Sequence, residues 1–171
     1  MIQQVKSKVV TLKNTVIATV RNERGRVVQR VIGHNTVTSG NDPGGANYNG
    51  RAWILDRVFG FEDYYDSAAI ISKMKLGKGT PSNTGLGNAY GSYKTITQVG
   101  SMDISSPSAP KVTVKGTWDS GDGSFSGITE AGLFAFVSPS DYTLFAYKTF
   151  SPSLSKTAGG TLDIEWTVTL A

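Results

Sequence analysis

The chain has 171 residues, 39% of them hydrophobic, a net charge of +4 and no cysteine. That length and apolar share predict one domain, residues 1–171, able to close a core unaided. The missing cysteines exclude disulfides and thiolate metal ligands.

The opening stretch, MIQQVKSKVVTLKN, lacks the apolar core of a secretion signal, and no run approaches the roughly 20 apolar residues of a membrane helix. Neither a cleaved leader nor a membrane partner is expected. Residues 1–33 are expected to form an N-terminal hairpin or attachment arm. Within them, VIATVRNERGRVVQRVI holds two valine-rich runs around Asn22 to Gly25, a turn in which Gly25 supplies a positive φ, and this predicts a β-hairpin. Lys6, Lys8, Lys13, Arg21, Arg24, Arg26 and Arg30 make this the densest basic stretch of the chain. A nucleic-acid footprint gathers such charges on one face beside exposed aromatics. Charges spread along alternating strands form a solvated face instead, so nucleic acid is not an expected partner. Arg21, Arg24, Arg26 and Arg30 are read as candidate protein contacts.

In GRAWILDRVFGF, residues 50–61, Trp53, Ile54, Leu55, Val58 and Phe59 recur at helical spacing and Gly60 can end the run. A short helix is expected there, the alternative being a strand on a covered edge. The same stretch leads into RVFGFEDYY, where Phe59, Phe61, Tyr64 and Tyr65 gather either as an interface or as core and covering loop.

GKGTPSNTGLG, residues 77–87, looks like a phosphate loop and fails the test for one. Lys78 is followed by Gly79 rather than by Ser or Thr, and the position five before Gly77 is Ser72. A dinucleotide fingerprint fails too, because Ser82 stands where its last glycine is needed. Gly77, Gly79, Gly85 and Gly87, with Pro81, are read as a tight connector or contact loop, with Lys78 a candidate contact.

Strict alternation marks KVTVKGTW (111–118) and TLDIEWTVTL (161–170) as half-buried strands. Residues 142–150 carry aromatics on both faces, which predicts a central strand covered twice. Gly, Ser, Pro and Asn clusters at 38–50, 77–92, 104–110, 119–127 and 151–160 separate these segments. The fold expected is mainly β: an antiparallel, jelly-roll-like β-sandwich with one short helix.

The chemistry of catalysis finds little purchase. DSGDGS (119–124) has too few carboxylates for a calcium loop and reads as a turn. His34 is the single imidazole, in HNTVTSGN, with no nucleophile-elbow pattern around it. Glu130, in GITEAGLF, has no second carboxylate at a recognisable spacing; Asp103 is the distant partner left open. No enzymatic activity, cofactor or metal is expected.

HNTVTSG (34–40), GRAWILDRVF (50–59), KMKLGKGTPSNTGLG (73–87), GITEAGLF (127–134) and TFSPSLSKTAGGTLDIEWTVTL (149–170) together resemble a group of small tailed-bacteriophage virion proteins. In that group a strand runs into a GTGTTAP-like loop, an ITEAGLF-like strand follows, and a SKTSGDTL-like turn precedes the last strand. Lys78 and the Gly159–Gly160 pair are departures from that pattern. The resemblance implies a virion structural protein, namely a capsid decoration or a head or neck accessory component. It would attach in multiple copies to itself, a trimer being the expected form, and to capsid or tail proteins. The alternative is a tail or tail-fibre component that contacts host glycans through loops such as GGANYNG, with Tyr48 at its centre.

Overall fold

The computed structural model describes residues 12–37, 71–82, 85–100, 110–138 and 141–170. They form β1 (Leu12–Arg21), β2 (Val27–His34), β3 (Thr36–Val37), β4 (Ile71–Gly77) and β5 (Ala89–Thr95), followed by β6 (Thr97–Gln98), β7 (Lys111–Trp118), β8 (Phe125–Ser138), β9 (Asp141–Lys156) and β10 (Thr161–Leu170). The strands build two antiparallel sheets in the orders β2-β1-β10-β7-β6 and β3-β9-β8-β4-β5. The molecule is an antiparallel β-sandwich, as its alternation predicts. The helix expected at 50–61 lies outside the described residues.

The core follows from the period of two. On β10, Leu162, Ile164 and Trp166 are buried, and on β1 so are Val16, Ala18 and Val20. The two strands run in register, Val16 against Trp166 and Val20 against Leu162. Met74, Leu76, Ile128, Leu133, Phe145 and Leu154 meet them from the other sheet. Each such aliphatic side chain contributes roughly 2 kcal/mol over its exposed state. At Gly116 the sheets approach closely, since a Cβ there would stand 3.0 Å from Met74 Sδ. The opposite face of the first sheet is threonine-rich, with Thr113 Oγ1 and Thr167 Oγ1 hydrogen-bonded across strands at 2.8 Å.

The chain passes between sheets at β2–β3, β5–β6, β7–β8 and β9–β10. The first two passages are made by Asn35 and Ile96, single residues at which the chain turns a corner of the sandwich. The hairpin at Asn22–Gly25 forms as expected: Gly25 has φ 74°, and Asn22 Oδ1 accepts the amides of Arg24 and Arg26, both at 3.0 Å. β1 pairs with β10 along its whole length, so the hairpin is built into the first sheet.

Two boundaries differ from expectation. β9 runs on to Lys156, through residues whose Pro and Ser predict a loop. Its register jumps there, from Glu130↔Thr149 to Ile128↔Leu154, and this bulge absorbs Pro152 while Leu154 and Lys156 return to the interior. β5 begins at Ala89, inside the segment 77–92 expected as loop. Its weak alternation is overridden by pairing with β4, Ala89 against Gly77 and Tyr90 against Leu76.

Candidate functional site

One end of the sandwich gathers the glycine loop between β4 and β5, the turn between β7 and β8 and the turn between β9 and β10. Chemistry is concentrated there. In the register of the second sheet Gly77 stands opposite Glu130. Glu130 is fully buried, and its carboxylate fills the space that a Cβ on Gly77 would need. From that position Oε1 accepts the amides of Gly79 at 2.9 Å and Asn88 at 3.3 Å, while Oε2 accepts the amide of Gly87 at 3.2 Å. Thr129 Oγ1 donates to the Gly79 carbonyl at 3.0 Å, and the Lys78 amide donates to the Asn88 carbonyl at 2.8 Å.

The glycine loop is therefore an anion cradle after all, and the anion is the protein's own side chain. Backbone amides converge on a carboxylate as they would on a phosphate. Gly87 is tight for a second reason, because a Cβ there would run into the backbone of Thr80.

Lys156 is the converse. It is 3% exposed, and the three protons of its ammonium are shared among four backbone carbonyls: Asp119 at 2.8 Å, Gly123 at 2.6 Å, Thr157 at 3.2 Å and Gly160 at 3.2 Å. The ring of Phe125 lies 5.5 Å from it. Burial pulls the ammonium below its ordinary pKa of 10.5; the carboxylates of Asp122 and Asp119 oppose that shift and Lys94 adds to it. The DSGDGS turn thus surrounds a cation with oxygens, and again the ion is a side chain. The turn itself is one of 3-10 helix at Ser120–Asp122, capped by Asp119 Oδ1 on the Gly121 amide at 2.8 Å. Asp122 also forms an ion pair with Lys94 of β5.

Beside Lys156 lies an open cleft of about 500 Å³ lined also by Lys78, Tyr90, Phe125 and the hydroxyls of Ser124, Ser126 and Ser155. The Lys78 ammonium sits 4.1 Å above the Tyr90 ring, and Tyr90 meets Phe125 edge to face at a centroid distance of 6.0 Å. Lys78, a candidate from the sequence, is thus placed on a surface cleft.

Arg24, Arg26 and Arg30 are exposed and Arg21 is half-buried, Arg21 donating to the Gly25 carbonyl at 3.2 Å. All four stand on the β1–β2 hairpin, whereas Phe59, Phe61, Tyr64, Tyr65, Tyr48 and Asp103 lie outside the described residues. His34 is occupied structurally: Nδ1 is 3.0 Å from the Asn14 carbonyl, which only accepts, so the ring donates there and fastens β2 to β1. Among the described residues no group of three or more His, Asp or Glu side chains is placed to hold a metal ion, and no helix is long and apolar enough to cross a membrane.

Sequence reasoning missed Lys156 altogether and saw in Glu130 only an unpaired carboxylate. A usable signal was present in each case. Glu130 interrupts the apolar run ITEAGLF, and Lys156 follows Leu154 at strand spacing beside a Gly-Gly turn. No protein-family model, curated protein or solved structure matches the chain.

Proposed function

We propose that the protein is a non-enzymatic structural component of a tailed-bacteriophage particle, attached in multiple copies as a capsid decoration or a head or neck accessory. One observation carries this reading. Of the segments that resemble virion proteins, GKGTPSNTGLG and GITEAGLF meet through Glu130, and GITEAGLF pairs as a strand with TFSPSLSK, Glu130 against Thr149 and Ile128 against Leu154. These three segments are thus neighbours in the fold, which supports reading them together. Both ions are saturated by backbone groups, which ties their chemistry to architecture.

Such a protein works by repetition. Modest contacts of standard size, about 800 Å² per partner, become lasting attachment when many copies bind one lattice. Antibodies against the chain should decorate purified particles of the phage that encodes it at regular positions in electron micrographs. Particles that carry no label and no copy of the chain by mass spectrometry would remove this reading.

The second reading, a tail component that contacts host glycans, is favoured by the open cleft. Tyr90 and Phe125 supply aromatic surface and the serine hydroxyls supply hydrogen bonds. Binding of the purified chain to a glycan array, lost in Tyr90→Ala, separates it from the first.

A further inference from the structure

We propose that the outer edge of β2 accepts an extended acidic segment of a partner protein as an added strand. Among the described residues β2 pairs with β1 alone, so its other side is an edge of the first sheet. The remaining edges are poorer templates. β3 and β6 are two residues each, and β5 is broken by a register shift and by Gly91 at φ 67°. β2 has eight residues, of which the six from Gln29 to His34 pair with β1 in unbroken register.

β2 itself carries no proline and no inward-pointing charge, and its one bulge, at Val28, lies at the start of the strand and leaves Gln29–His34 regular. Val28 and Ile32 are each 59% exposed. With Arg30 between them they form an outward stripe, widened by Ile17 of β1, the register partner of Ile32. An added strand would therefore meet apolar, cationic and apolar side chains in turn. Its inner side meets another cation: Lys148 of β9 lies against Gly33, where a Cβ would stand 2.6 Å from Nζ.

Charge decides the occupant. β2 contains no acidic residue, and among the described residues no carboxylate pairs with Arg24, Arg26, Arg30 or Lys148. A second copy set antiparallel about the middle of β2 would bring two Arg30 side chains together with nothing to neutralise them. A strand with a carboxylate flanked at two-residue spacing by β-branched residues satisfies Val28, Arg30 and Ile32 at once. Main-chain hydrogen bonds would supply the affinity and this alternation the selectivity.

Strand addition rests on the virion reading only for where the partner is found, and its test needs no virion, so either can fail alone. The full-length chain, isotopically labelled for NMR, is titrated with the doubly capped peptide Thr-Val-Thr-Glu-Thr-Val-Thr and with its Glu-to-Lys analogue. Saturable shifts in the amides of residues 27–34, with the analogue weaker by about tenfold or more, are expected. In Arg30→Glu, with Tm unchanged, the order of the two peptides should reverse. Equal affinities, no binding by either peptide, or shifts centred elsewhere would overturn the proposal. A dimer of the chain alone that Ile32→Lys dissolves would also overturn it, by placing a second copy on the edge.

Discussion

Glu130 accepts the amide of Gly79 at 2.9 Å across 51 positions of sequence, so the glycine loop is held by a strand that forms far from it in the chain. Replacing Glu130 by Ala leaves the amides of Gly79, Gly87 and Asn88 without their acceptor. The expected loss is about 3 kcal/mol or more, since each buried unpaired donor costs roughly 1–3 kcal/mol. Glu130→Gln keeps one acceptor oxygen but turns an NH₂ toward a donor, and should lose less, about 1–2 kcal/mol. Urea unfolding gives the ordering. Limited proteolysis should cut 78–88 faster in both variants, and a loop equally resistant in Glu130→Ala would refute the cradle.

Lys156 allows a test with a definite sign. Burial lowers its folded pKa, so the unfolded chain binds more protons at this site in the window from that lowered value up to 10.5. Stability from this site therefore rises with pH across the window. Lys156→Met strips four carbonyls of their donor and should cost about 2–4 kcal/mol at neutral pH. The stability difference between wild type and variant should widen as pH climbs from neutral toward 10.5. A difference that narrows over that range would contradict the burial argument.

The glycines of the loop are not equivalent. Gly87→Ala drives a methyl group into the Thr80 backbone, whereas a Cβ at Gly85 meets nothing within 4 Å. Gly87→Ala should cost about 1–3 kcal/mol or more, and Gly85→Ala should stay within about 0.5 kcal/mol of wild type. Thermal unfolding of the two variants side by side decides it; equal midpoints would show that the loop has no fixed shape.

On the virion reading proposed above, the exposed arginines would separate attachment from folding. Arg24→Glu, Arg26→Glu and Arg30→Glu combined should shift stability by no more than about 0.5 kcal/mol per site. The combined variant should fail to bind particles lacking the protein, while wild type binds in a manner weakened by salt. Undiminished binding of the variant would move the attachment surface away from the hairpin.

The alternating strands were the most legible part of the fold. Thr161–Leu170 and Lys111–Trp118 carry one apolar face each, and period-two burial leaves no second arrangement for them. The hairpin at Gly25 was equally plain. β5 and the end of β9 were not, because Pro152, Gly91 and their serines read as breakers; pairing to β4 and β8 overrules local preference. The site was hidden for a related reason. GKGTPSNTGLG and DSGDGS match neither a phosphate-loop nor a calcium-loop pattern, yet each encloses an ionic side chain. The partners, Glu130 and Lys156, lie 51 and 33 positions away from Gly79 and Gly123, and no local pattern encodes such a distance.

The unequal edges of the sandwich limit how copies can join. Among the described residues, a chain that accepts a strand at β2 offers no second edge strand of similar length in the same sheet, since β6 spans only Thr97–Gln98. Head-to-tail pairing within that sheet would thus lack a matching edge on which to continue. On the virion reading proposed above, that asymmetry would favour dense coating of a lattice over growth into filaments.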